Sequence, residues 1–264
     1  MKQKNFCLSK ISVYHYIKLF VRFAFFAGAA TLYIANRIEH QPAPFGKGKI
    51  SVILFALIWI NYAVEMISRF FPSKLESPGC QKQFQKNYLP TNKKEPKIQS
   101  SKKTFLVAAI WIAGNAAIAL LYAIGLIDTG ILILISLAYG VGDMICILFF
   151  CPFQTWFMKN RCCGSCRIYN WDFAMMFTPL VFIPSWYTYT LLGAALLLLL
   201  RWEITYKLHP ERFSVSTNKC LDCSRCKEKL CAHKKQLQGF LKKYKARFFA
   251  LKTEHKGHKS KEDK

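Results

Sequence analysis

Long apolar blocks, separated by strongly basic segments, constrain this chain more than any other feature. A helix that crosses a bilayer needs ~20 mostly apolar residues, because hydrocarbon offers no partner for backbone polar groups. Blocks at 17–35, 50–71, 105–126 and 131–150 have that length, and a longer one occupies 173–200. The 53% hydrophobic content is concentrated there. The formal net charge of +24 lies between and after the blocks. Lys and Arg are placed this way in cytoplasmic loops and against anionic lipid headgroups, so nucleic acid is not the expected partner.

The expectation is an all-α polytopic protein of the cell membrane, with both termini cytoplasmic. It has about six transmembrane helices, or four plus a re-entrant or short hairpin. Lys2, Lys4, Lys10 and Lys18 precede the apolar run 23–34. Tyr33, Asn36 and Arg37 stand where a signal peptide would carry small residues, so the first helix reads as uncleaved. The first transmembrane hairpin is expected over 1–71. A flexible, basic cytoplasmic loop follows over 72–103, with eight Lys against two Glu and four Pro. The second hairpin covers 104–150, turning at Asp128-Thr129-Gly130.

The region 168–206 sets the topology. A straight helix over 173–200 would be ~42 Å long, well beyond a ~30 Å hydrocarbon core. Pro184 falls near its middle, and Pro-Ser-Trp-Tyr suits a turn between arms at 168–183 and 187–206. Residues 201–264 carry 18 Lys and Arg against 7 Asp and Glu, a difference of +11. A hairpin keeps that charge on the side of the other basic segments; one long tilted helix would export it.

Eight of the 11 cysteines fall in two groups. Cys151, Cys162, Cys163 and Cys166 form the first, within 151–167. Cys220, Cys223, Cys226 and Cys231 form the second, within 207–231. Cys7, Cys80 and Cys146 stand apart. A C-x-x-C spacing lets two thiolates reach one metal from a single turn. The second group, C-x2-C-x2-C-x4-C, resembles the ferredoxin run that holds a [4Fe–4S] cluster, with one extra residue and Ala232 in place of Pro.

Cys151-Pro152-Phe153, at the end of an apolar block, resembles the CPFG element of membrane-anchored polyferredoxins. Cys146 lies five residues before Cys151, where that family has a Cys four before. The resemblance implies iron–sulfur clusters and electron transfer to a redox partner protein at the membrane surface. Two other fates for the thiols remain open. Zinc shared between Cys163/Cys166 and Cys220/Cys223 would staple the helices in a structural or assembly protein without redox work. Disulfides would require an external location, against the charge pattern.

Glu65 and Asp143 lie inside apolar blocks, where acids are costly and are paired or functional. Arg22 is at a similar depth and is the expected partner for one of them. Asn61 and Asn115 are expected to bond between helices. His209 and His233 read as ordinary surface histidines. The segment 232–264 begins as a basic amphipathic helix, with Leu237, Phe240, Leu241, Tyr244 and Phe248 at helical spacing, suited to anionic lipid. A transporter using Glu65 or Asp143 would need a substrate site or an inverted repeat, and neither is readable. No nucleotide-binding glycine loop, Ser-His-Asp arrangement or haem-type histidine pair is present.

Overall fold

The computed structural model describes residues 10–40, 43–46, 48–72, 78–92, 95–97, 100–159 and 165–222, together with 234, 235 and 239. These are helical throughout, and the described residues hold no strand beyond one isolated bridge, Pro90 with Asn218. The long helices are α1 (Lys10–Ile38), α2 (Lys49–Phe70), α4 (Ser101–Ala123), α5 (Thr129–Leu148) and α7 (Trp186–Leu208). Short helices α3 (Pro78–Gln83) and α6 (Asp172–Phe177) sit between them. Four helices are long and apolar enough to cross a membrane: Ser12–Ile38, Lys49–Phe70, Ser101–Ala123 and Thr129–Leu148. Their outward faces are apolar and exposed, as at Phe20, Ile50 and Phe105, each more than 70% accessible. Contiguous apolar surface on this scale is what lipid covers.

The antiparallel pairing of α1 with α5 is the most extensive in the bundle. Small residues let the backbones approach. A Cβ on Gly130 would meet the Tyr33 ring at 2.6 Å, and one on Gly140 would meet the Tyr62 hydroxyl at 2.4 Å. Asp128, Thr129 and Gly130 are not a separate turn: Asp128 caps α5 by accepting from the Ile131 amide at 2.9 Å.

The 168–206 region turns where the proline predicts, between Phe182 and Trp186. Its two arms differ. The second is the continuous α7, which carries Arg201 and Glu203 and is not among the four helices long and apolar enough to cross a membrane. The first is broken into a 3-10 turn at Arg167–Trp171, α6, and a second 3-10 turn at Thr178–Phe182. Asp172, Phe173, Met176, Phe177 and Leu180 are buried, and the arm packs against α5 and α7. Irregular backbone is tolerated at such depth where protein surrounds it. Ser136 helps here, donating to the Met176 carbonyl at 2.9 Å.

Within 72–103, read from sequence as a flexible loop, residues 78–92 carry regular structure and long-range bonds. Gln81 donates to the carbonyls of Ser68 and Phe71, so α3 folds back under the end of α2. Asn218 donates to the carbonyls of Lys82 (2.9 Å) and Arg212 (2.8 Å). The Lys219 amide reaches Leu89, and the Thr91 amide reaches Thr217. Amide side chains here do what a longer helix would otherwise do for the backbone. Cys80, expected to lie in that loop, is fully buried in the main core beside Phe84 and Trp202.

The two membrane asparagines also depart from expectation. Asn61 donates to Glu65 and Asn115 to the Trp111 carbonyl, each four residues away on its own helix. That neighbour is within reach on a helix surface, and the Asn115 Oδ1 is left buried without a hydrogen bond.

Candidate functional site

The N-terminus of α1, the C-termini of α2, α5 and α7, and the start of α4 share one end of the bundle. At that end six charged side chains form a balanced interior cluster. Arg22 on α1 donates to Glu65 on α2 at 2.6 Å, to Asp143 on α5 at 2.9 Å and to the Gly140 carbonyl at 2.8 Å. Lys18 adds a second contact to Glu65 at 3.7 Å. Arg69, in the last turn of α2, meets Asp172 of α6 at 2.6 Å, with both side chains at most 5% exposed. One guanidinium thus serves both acids singled out in the sequence. The Arg69–Asp172 pair was missed, although a basic residue ending one apolar block and an acidic residue opening another are its visible signal.

Cys151 of the first group lies just beyond the end of α5. α5 closes with the Phe149 and Phe150 amides both returning to the Ile145 carbonyl, at 2.8 and 3.2 Å. The chain therefore tucks back, and Cys151 comes to line the same cavity as Cys146. A π-turn at Phe153–Phe157 follows, and the Gln154 amide points at the Cys151 sulfur at 3.4 Å. The Cys146 S–H, then the Gln154 amide and the nearby Lys234 ammonium, hold the Cys151 thiol down at about 7 against the opposing effect of burial. The Lys234 side chain also bonds the Cys146 carbonyl at 2.8 Å.

Cys166 is buried at the head of the Arg167–Trp171 turn. That turn is anchored on α7: Arg167 forks onto both oxygens of Glu203, and the Trp171 indole donates to the same carboxylate at 2.7 Å. Asn170 donates to Gln83 of α3 at 2.8 Å. Cys220 lies in the 3-10 turn Lys219–Leu221. Its amide is held by the Asn218 side chain at 3.0 Å, and its sulfur donates to the Asn87 carbonyl at 3.0 Å. Helix α3 packs against both the Arg167–Trp171 and Lys219–Leu221 turns.

Cys162 and Cys163 of the first group, and Cys223, Cys226 and Cys231 of the second, lie outside the described residues, as does His233. The amphipathic segment from 232 does too, apart from 234, 235 and 239. Among the described residues, no three His, Cys, Asp or Glu side chains gather closely enough to hold a metal. Cys80, Cys146, Cys151, Cys166 and Cys220 form no disulfide. His209 faces Glu211 at 3.2 Å on the surface.

Cys146, Cys151 and Cys166 line one cavity of about 240 Å³. Its walls are otherwise mostly apolar, including Trp111, Tyr139, Phe153, Ile168 and Met175, with Gln154, Asp143 and Asp172 also in the lining. Cys146 is the functional candidate that sequence reasoning set aside. Its spacing from Cys151 spans the end of a helix, and only the tuck at Ile145 brings the two together.

Comparison with protein families, with curated proteins and with solved structures finds no match for this chain.

Proposed function

We propose that this is a multi-pass membrane protein that carries an iron–sulfur centre at its cytoplasmic face and relays electrons there to a partner protein. The observation that supports this reading is that the described members of both cysteine groups fall at one end of the bundle. Cys163 precedes Cys166 by three residues, and Cys223 follows Cys220 by three. At ~3.5 Å per residue Cys163 and Cys223 are each tethered within about 11 Å of those two thiols, Cys166 and Cys220 respectively. The donor set fits iron–sulfide chemistry, being all soft thiolates with backbone amides nearby. Cys220, Cys223, Cys226 and Cys231 hold the first cluster. Cys162, Cys163 and Cys166 lend ligands to it or to a second, while Cys151 is engaged by Cys146. When bound, the cluster would supply one-electron steps; the chain fixes its position through the Asn218 bond to the Cys220 amide and the Arg167–Glu203 clamp. Basic charge at this end sets it on the cytoplasmic side, and the segment from 232 lies on anionic headgroups.

Structural zinc is the second reading. It is favoured by α3 touching both cysteine turns, which would let one ion staple them. The deciding measurement is metal and sulfide analysis of full-length protein purified without oxygen. About four iron and four acid-labile sulfide per cluster are expected, with loss of that iron in Cys223→Ser. Colourless protein with one tightly held zinc overturns the redox reading.

A further inference from the structure

Two thiols on one cavity wall do not by themselves define an activity, but these two face a half-open, ring-lined space. Trp111 lies tilted at 4.7 Å from Tyr139 and edge-on at 6.4 Å from Phe153, centroid to centroid. The two carboxylates in the lining are each paired, with Arg22 and with Arg69, neither of which lines the cavity, leaving no uncompensated charge to attract an ion. At about 240 Å³ the cavity is smaller than the ~300–1,000 Å³ typical of drug-sized ligands. It suits one flat, uncharged ring better than a headgroup with its chains. It lies among helices of membrane-crossing length, where such a ring would arrive from lipid.

From this juxtaposition we infer that Cys146 and Cys151 are a redox-active dithiol, and that the cavity holds the lipid-soluble quinone with which they exchange electrons. The step balances without a further reagent. Two S–H bonds break and one S–S bond forms; two electrons pass to the ring, and two protons reach its two oxygens, giving the quinol. Cys151, the better thiolate, faces the ring while Cys146 closes the disulfide. In a reducing compartment a dithiol of this kind is catalytic rather than structural. The inference goes beyond the iron–sulfur reading and stands whether or not iron is found.

Gly142 provides the test. It lines the cavity, and a Cβ there meets nothing within 4 Å. Gly142→Leu therefore starts its side chain in open space and adds three further carbons toward the cavity, and leucine is the better helix former. Reduced full-length protein in detergent, free of oxygen, is mixed with decylubiquinone, whose fully substituted ring does not alkylate thiols. Quinol is followed by absorbance, and thiols are mapped by maleimide trapping and peptide analysis. The expected result is one Cys146–Cys151 disulfide per quinol formed. Cys146→Ala should abolish it. Gly142→Leu should slow it by about tenfold or more with unchanged helix content and melting, and Gly142→Ala should slow it less. Quinol formed without that disulfide overturns the dithiol. A Gly142→Leu protein as fast as the parent overturns the cavity. Iron content, measured on the same samples, reports separately on the cluster.

Discussion

Removing the Arg22 guanidinium should be the most damaging single change in the bundle. Arg22 is 1% exposed and makes three contacts of 2.6 to 2.9 Å, two of them to carboxylates. Hydrogen bonds to charged groups contribute about 1.5–3 kcal/mol each, so two come to about 3–6 kcal/mol. Breaking a buried ion pair from one side costs about 3–5 kcal/mol by an independent route, because the abandoned charge has no water. Lys18 at 3.7 Å can hold part of the Glu65 charge, whereas Asp143 loses the guanidinium that meets it at 2.9 Å. Arg22→Leu should therefore lose about 4 kcal/mol, a large share of the ~5–15 kcal/mol available to a folded domain. Adding Glu65→Gln and Asp143→Asn should restore most of it, since neutral amides need no counter-charge. Denaturant titration of each variant in mixed micelles, followed by circular dichroism, measures both numbers. An Arg22→Leu protein within about 1 kcal/mol of the parent, or a triple variant no better than the single one, would refute a dry, mutually dependent cluster.

Alkylation of Cys151 should be slow at acidic pH and rise through a midpoint near pH 7, because its depressed value makes the thiolate the major form above that point; rate profiles with iodoacetamide on Cys146→Ala protein should move the midpoint upward, since the donated S–H is the leading cause. Cys80→Ser should destabilise by about 1–3 kcal/mol, as the shorter C–O bond leaves a buried hydroxyl beyond reach of the Arg69 carbonyl, which the sulfur meets at 4.0 Å; a thermal melt reads it. Asn218→Ala removes two donated bonds and the anchor of the Cys220 amide, and should expose 78–92 and 210–221 together to hydrogen exchange by about 2–3 kcal/mol while α1, α2 and α5 keep their protection.

Helix existence was legible wherever apolar length alone decides it. α2, α4 and α5 fall within a few residues of their expected bounds, because a run of lipid-compatible residues has few alternatives. α1 begins earlier, at Lys10, since its first turns are polar yet still packed against the end of α5. Pro184 revealed the turn in the last hairpin, but hydropathy cannot distinguish a continuous helix from a broken one once both are buried; the 3-10 turns flanking α6 depend on partners in α5 and α7. The 78–92 fold was hidden for a related reason. Its stability comes from Gln81, Asn87 and Asn218, whose partners are more than a hundred residues away or are backbone carbonyls with no sequence signature. Asp143 and Glu65 were legible as costly acids, and Arg22 as a partner by depth. That one arginine would take both required knowing that α1 lies between α2 and α5.

The charge cluster and the thiol cavity are one arrangement seen from two sides. Asp143 precedes Cys146 by three residues, so both project from the same face of α5 and both border the cavity. Asp172 borders it from α6. Two uncompensated carboxylates there would repel the Cys151 thiolate and draw in water. Arg22 and Arg69 prevent this from outside the cavity wall, approaching the same carboxylates from α1 and α2. The cavity thereby stays apolar while being built partly from acids. It follows that α1 and α2, which contribute no cysteine among the described residues, still set the electrostatics of the sulfur chemistry. Arg69→Met should accordingly shift the Cys151 alkylation midpoint upward, because Asp172 would no longer be neutralised. A midpoint that stays near pH 7 in a folded Arg69→Met protein would separate the two features and leave the arginines with a purely structural role.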